Sequence, residues 1–241
     1  LKLSLVIPAH NEEAYLEDCL RCAAAEVAAN AARGPFEIIV IDNASTDRTA
    51  AVAARVPGVR VVAEPAKGLT HARQRGLLEA QGEIVAYVDA DTRMPAGWLA
   101  TLLDGFERDP AVVCVSGPYV YHDLPALRGA LVRLYWWLLA WPMYAVTRYM
   151  AVGGNFAASK RALERIGGFD TTIAFYGEDT NIARRLSQAG KVRFVMRLVM
   201  HTSARRLHAE GFYLTALRYV VNFLSEVVRK KPLTSQYRDI R

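Results

Sequence analysis

Two carboxylates one residue apart, Asp89 and Asp91, close the apolar run Ile84 to Val88, and a second acidic pair, Glu178-Asp179, follows Gly177. Acids placed at the end of a buried strand are costly unless a cation or hydrogen bonds compensate them. A hard divalent cation shared with phosphate oxygens would do this. The bland alternative is a solvated turn in which Asp or Thr of the stretch Asp89 to Pro95 caps the next helix. Glu178 and Asp179 open a helix, and the bland reading is that they merely cap it.

The elements that must carry these groups follow from periodicity. Leu3 to Ile7 is a short apolar strand that Pro8 is expected to stop, and Ala9 to Glu13 leads to a helix with Leu16, Leu20, Ala24 and Val27 on one face and Glu12 and Glu13 in its first turn. Phe36 to Ile41 and Val59 to Ala63 are further strands, and Thr70 to Ala80 is a helix carrying His71, Arg73 and Arg75. The run Ile84 to Val88 is apolar without alternation, the pattern of a strand covered on both faces. Strands alternating with helices predict an α/β fold with a Rossmann-like, mainly parallel sheet flanked by helices. Ligands in such sheets sit beyond the carboxyl ends of strands, so the polar clusters near His10, Asp42 and Asp89 are expected along one edge.

Past Pro95 the pattern predicts a helix through Phe106, a strand pair over Val112 to Gly117 and Tyr119 to Tyr121, a short helix from Ser159 to Ile166, and a helix opened by Glu178 with Ile182 and Leu186 on one face. A final strand, Val192 to Met200, would deliver His201. Leu134 to Thr147 is uncharged, holds Trp136, Trp137 and Trp141, and is flanked by Arg133 and Arg148. It is too short and too Pro-broken to span a bilayer, which needs about 20 apolar residues, so it is an interfacial segment or a core helix. Gly211 to Lys231 has apolar residues at helical spacing, from Phe212 to Val228, ahead of Arg229-Lys-Lys231, a second segment suited to anionic headgroups. The expected organisation is a domain over 1–205, with halves 1–94 and 95–205, followed by an amphipathic helical tail over 206–241.

With 30 basic and 24 acidic residues among 241, a formal charge of +6 favours polyanionic partners such as nucleotides or an anionic membrane surface. No nucleic-acid-binding motif is present, and a hydrophobic content of 52% excludes disorder as the main state. Three cysteines, an odd number in a chain that needs no disulfide, suit a reducing, cytoplasmic setting. Cys19-x-x-Cys22 falls within an Ala-rich helical pattern with no second pair, which disfavours a zinc site.

Six stretches in this order, Pro8-Ala-His-Asn-Glu12, Ile41-Asp-Asn-Ala-Ser-Thr-Asp47, Lys67-Gly68 with Ala72-Arg73, Asp89-Ala-Asp91, Gly167-Gly-Phe-Asp170 and Gly177-Glu-Asp179, resemble the family-2 glycosyltransferases of the type-A nucleotide-diphospho-sugar transferase fold. The resemblance runs from about Leu3 to His201. It implies that Pro8, Ala9, His10, Glu12 and Asp42 serve the base and ribose of a nucleotide, with His10 where the family often has Tyr. Lys67 and Arg73 would be nucleotide or diphosphate contacts, and Asp89, Ala90 and Asp91 would form the acid-x-acid motif, Asp91 ligating Mg²⁺ or Mn²⁺ with Asp89 reaching ribose or metal. His201 resembles a metal-proximal His of some relatives. Asp179, with Glu178 beside it, resembles the general base of an inverting displacement. Gly154, Asn155, Trp136 and Trp137 fall in the acceptor region.

The implied donor is a nucleotide-diphospho-sugar, a UDP-sugar first, and the acceptor a sugar or lipid-linked hydroxyl at the cytoplasmic face of a membrane. Two other readings compete: a haloacid-dehalogenase-like phosphatase with Asp89 as nucleophile on Tyr87 to Thr92, and a non-catalytic membrane-surface binding module.

Overall fold

The computed structural model describes residues 2–230, 233 and 234. The first half is β1 (Leu3–Ala9), α1 (Leu16–Ala29), β2 (Phe36–Asn43), α2 (Thr49–Ala54), β3 (Val59–Glu64), α3 (Leu69–Glu79) and β4 (Ile84–Val88). The second is β5 (Thr92–Arg93), α4 (Trp98–Glu107), β6 (Val112–Ser116), β7 (Tyr119–Tyr121), α5 (Ala126–Tyr135), a π-helical segment (Trp136–Ala140), α6 (Trp141–Thr147), β8 (Asn155–Ser159), α7 (Lys160–Arg165), α8 (Glu178–Leu186), β9 (Lys191–Phe194), β10 (Met200–Thr202), α9 (Arg205–Glu210) and α10 (Phe212–Arg229).

The apolar strands are continuous because both faces are covered, and their residues divide with period two. Leu3, Leu5, Ile7, Ala86 and Val88 pack with α1, α2 and α4 on one side. Val6, Ile39, Val85 and Tyr87 pack with α3, α7 and α8 on the other. The main sheet runs β3-β2-β1-β4-β8-β6-β9. β1 pairs in parallel with β2 and β4, and β2 with β3. The chain goes one way from β1 to β3 and then returns to the other side of β1 as β4, so the switch point lies between β1 and β4. That crevice is where an open α/β sheet receives ligands.

Several boundaries differ from expectation, each for a physical reason. Pro8 does not stop β1, which runs to Ala9, because the ladder with β4 ends at Val6 and β1 has only one neighbour beyond it. α1 starts at Leu16, so Glu12 and Glu13 lie before its first turn. Asn155 to Ser159 is a buried strand, antiparallel to both β4 and β6, where an Ala-rich stretch gave no strand signal. The expected pair over 112–121 splits between two sheets, and so does 192–202: β6 and β9 join the main sheet, whereas β5, β10 and β7 form a second, three-stranded one. Pro142 lies near the start of α6, which continues directly from the π-helical segment, the local departure from α geometry lying just ahead of the residue that lacks an N–H.

The boundary expected between 205 and 206 falls inside α9. α10 is docked rather than trailing: Glu226 accepts from Asn181 Nδ2 at 3.0 Å and pairs with Arg184 at 3.3 Å. Its fully buried positions are the polar Thr215, Asn222 and Glu226, while Leu217 is 60% and Val228 77% exposed. The apolar stripe read from the sequence therefore exists but is not the face that packs on the body. Residues 231, 232 and 235–241 of the expected tail lie outside the described residues. Among the described residues no helix is long and apolar enough to cross a membrane.

Candidate active site

The carboxyl end of β4 delivers Asp89, and the second sheet brings β7 and β10 across it. Asp89 Oδ1 receives Arg73 Nη2 at 3.1 Å and Oδ2 receives the Tyr119 hydroxyl at 2.9 Å. Arg73, on α3 and fully buried, also ion-pairs with Glu178 at the start of α8. Gly177 precedes α8 with φ of 81°, a left-handed turn that glycine makes without strain and that sets Glu178 and Asp179 at the helix N-terminus. The result is a chain of groups, Tyr119–Asp89–Arg73–Glu178, joining β7, the end of β4, α3 and α8.

Asp91 is held differently. Its Oδ2 pairs with Arg205 Nε at 2.9 Å, and Oδ1 receives Thr202 Oγ1 at 3.4 Å. The same guanidinium is bidentate on the buried Glu12 and lies 4.9 Å from the Tyr15 ring centroid. Glu12, expected at the nucleotide, thus acts as the anchor of the arginine that contacts Asp91.

Arg73, Asp89, Asp91, Glu178, Asp179 and Arg205 line one cavity of about 500 Å³. Burial pushes the Asp179 carboxyl above its ordinary value, against the pull of the Thr180 amide and Arg73. Burial lifts Glu178 to about 7, with Arg73 opposing the rise. The carboxylates hold Arg73 and Arg205 firmly protonated in spite of their burial, and burial with the neighbouring Asp89 raises the Tyr119 hydroxyl well above its usual range, so it remains a donor.

Two glycines make room for this network. A Cβ at Gly154 would overlap the Tyr119 hydroxyl and the Asp89 carboxylate, and one at Gly153 would press on Glu178 and Arg73. Gly154→Ala is expected to cost about 1–3 kcal/mol by forcing these groups aside. Urea denaturation should show the lowered midpoint, and wild-type stability would refute the close approach.

A second cavity of about 270 Å³ opens at the ends of β1 and β2, lined by Pro8, Ala9, His10, Asn43, Lys67 and Gly68 among others. The two cavities share Leu69 and Phe175. His10 Nδ1 lies 2.7 Å from the Asn43 carbonyl, which only accepts, so that nitrogen carries the proton and the ring is pinned. Asp42 lies beside Ala9 in the register, and its Oδ1 is buried with no hydrogen-bond partner among the described residues. Such an acceptor calls for a donor that the described residues do not supply.

The remaining expected residues stand elsewhere. Ala90 is a buried spacer between the two acids. Side chains alternate along β10, so with Thr202 on Asp91, His201 faces the other way and does not line the cavity. Burial and the nearby His122 lower its pKa. Asn155 is fully buried: it receives Trp98 Nε1 at 2.8 Å and donates to the Pro118 and Leu198 carbonyls. That is a structural knot, not an acceptor contact. Trp136 does wall the cavity, its Nε1 donating to the Tyr119 carbonyl at 2.7 Å, but Trp137 is 61% exposed and outside it. Tyr119 and Arg205 were not singled out from sequence, where nothing marks a lone Tyr or the first of two arginines.

Among the described residues no three His, Cys, Asp or Glu side chains converge as a protein-only metal cage would require. Asp89 and Asp91 nevertheless offer hard oxygen donors to one cavity. That partial set fits a divalent cation of the kind bound by one or two carboxylates and completed by substrate phosphates.

The model of the family described as Glycosyl transferase family 2 matches residues 4–167. An uncharacterized glycosyltransferase of Mycobacterium bovis is 39% identical over 111 residues, 46% of this chain and 46% of its own length. A probable glycosyltransferase of Bacillus subtilis, YdaM, is 26% identical over 210 residues, 80% of this chain and 48% of its own. The chain thus spans about half the length of these curated relatives. In fold it is similar to the mannosyltransferase PcManGT from Pyrobaculum calidifontis, solved in complex with GDP-Man and Mn²⁺ (TM-score 0.71, 24% identity, 95% of this chain and 64% of that one). It is also similar to glucosyl-3-phosphoglycerate synthase from Mycobacterium tuberculosis, solved with Mn²⁺, UDP and phosphoglyceric acid (TM-score 0.65, 21% identity, 99% and 80%).

Proposed function

Since the chain belongs to glycosyl transferase family 2, we propose that it moves a sugar, with inversion, from a nucleotide-diphospho-sugar to an acceptor hydroxyl, Asp179 being the base. The observation that carries this is the single cavity in which Asp179 faces Asp89 and Asp91 from a different element. The second cavity takes the nucleoside. The pinned His10 ring supplies a face for the base, and Asp42, which does not itself line that cavity but stands next to the lining Asn43, would offer its buried Oδ1 to a ring N–H such as that of uracil.

Asp91, with Asp89, would hold Mg²⁺ or Mn²⁺, and the cation would offset the charge of the departing diphosphate. Arg205 contacts Asp91 and is the side chain that shares that carboxylate with the cation. Asp179 takes the acceptor proton as the oxygen attacks the anomeric carbon opposite the leaving group. Glu178 keeps Arg73 in place, and Arg73 with Tyr119 orients Asp89. Arg73, expected at the diphosphate, is thereby mainly a clamp within the protein.

A panel of nucleotide-sugars with Mn²⁺ or Mg²⁺ tests this by thermal shift and by release of nucleoside diphosphate. The cognate donor at a hundred times its Kd contributes about 2.7 kcal/mol, a rise of roughly 5–10 °C for a chain of this size, and chelation should abolish it. Phosphate release from phosphoesters, with no response to any nucleotide-sugar, would favour the phosphatase chemistry instead.

A further inference from the structure

The larger cavity has two chemically unlike ends. Its floor is ionic, formed by the carboxylates and arginines already described. Its upper walls are aliphatic and aromatic: Leu131 and Val132 on α5, Leu139 on the π-helical segment, and Leu217, Val220 and Phe223 on α10. Apart from Tyr135 on α5 and Tyr219 and Asn222 on α10, these walls offer hydroxyl groups nothing to bond, and a sugar lying against the aliphatic positions would lose hydrogen bonds to water without replacement. A methylene chain gains from the same walls in proportion to the area it buries.

The orientation of α10 is set by polar pairing, not by burial of its apolar stripe. Glu226 is fixed by Asn181 and Arg184, and Thr215 and Asn222 are buried with it. The aliphatic side is consequently turned to the cavity and its mouth. On the same segments Leu131, which lines the cavity, and Leu138 and Leu214 are exposed. Residues 126–148 carry Arg128, Arg133 and Arg148 and no Asp or Glu, a charge complement to anionic headgroups.

Resting on the transferase reading above, we propose that the acceptor is an amphiphilic lipid: its hydroxyl head meets Asp179, and its aliphatic chain lies in the slot between α5 and α10, entering from an anionic leaflet. The donor keeps the ionic floor and the smaller cavity, so the two substrates approach the reacting centre from opposite chemical environments. Specificity on the acceptor side then depends on chain length as well as on the head.

The test uses the double variant L131Q/L217Q, whose two positions are 40% and 60% exposed. Dansylamino-undecanol and dansylamino-propanol serve as probes, with nucleoside diphosphate and Mn²⁺ present. The long probe is expected to bind saturably with a blue-shifted emission, the short one about ten-fold or more weakly, and the variant to lose about ten-fold on the long probe at an unchanged denaturation midpoint. Equal binding of the two probes, or a variant that binds the long one as wild type does, overturns the proposal. So does a dimer, seen by sedimentation equilibrium, that the variant dissolves and the long probe leaves intact, for the slot would then belong to a second copy. Flotation with phosphatidylcholine vesicles only when phosphatidylglycerol is added supports entry from an anionic leaflet, and a soluble fraction in both overturns it. Donor binding is read separately by thermal shift: a protein that binds the long probe but no nucleotide-sugar keeps the slot as a lipid site and loses only the donor assignment.

Discussion

Asp179→Asn is expected to lower sugar transfer by roughly 10²–10⁴-fold, the usual worth of a positioned general base, while nucleotide-sugar still binds with its cation. The amide is isosteric, and its oxygen can still accept from the Thr180 amide, which donates to Asp179 Oδ1 at 2.7 Å, so the start of α8 should keep its geometry. What is lost is the ability to take a proton. Glu178 cannot substitute, because its carboxylate is engaged by Arg73. The pH profile supplies a second readout. Burial raises the Asp179 pKa, and the base must be ionised, so activity should fall on acidification through a value above the ordinary aspartate range. An acid limb at the ordinary value, or transfer by the variant at the wild-type rate with donor binding intact, would remove Asp179 from the role.

The parts of this site that could be read from sequence were those whose meaning is local. An apolar run ending in two acids specifies a doubly covered strand and its carboxyl edge, and Gly177 before two acids specifies a helix N-terminus. Alternation of strands and helices up to Val88 was enough for a mainly parallel sheet flanked by helices, and the order that puts β1 beside β4 came only with the structure. Contacts made by the second sheet were not legible. Tyr119 and Arg205 reach Asp89 and Asp91 only because β7 and β10 pair with each other and β10 with β5, and short strands leave almost no periodic signal. For His201 the error was one of parity: along a strand a single residue decides the face, and the face belongs to Thr202. For α10 the hydrophobic spacing was correctly seen, but spacing cannot say whether an apolar stripe meets the body or something else. Ion pairing by the buried Glu226 decided that.

Arg73→Met is expected to be the most damaging single change to stability, by about 3–5 kcal/mol, because it leaves buried carboxylates without their cation. The Arg73 side chain is 1% exposed and Glu178 is 6% exposed, so water cannot take over the guanidinium's part. Methionine fills similar volume, which separates lost charge from lost packing. The loss should grow with pH. A carboxyl whose folded pKa exceeds its ordinary 4.5 binds more protons folded than unfolded, so stability declines as pH rises from there to the folded value. In the wild type that decline ends at about 7, where Arg73 holds Glu178. Without Arg73 the folded value moves higher and the decline continues, by about 1.4 kcal/mol per pH unit, through the neutral range. Urea midpoints of variant and wild type should therefore diverge between about pH 6 and pH 8.5. Adding Glu178→Gln to the variant should restore much of the difference at the higher pH, since a neutral amide has no charge to strand. A gap that stays constant with pH, or a double variant no better than Arg73→Met, would mean that Arg73 acts by packing and not by holding the acids together.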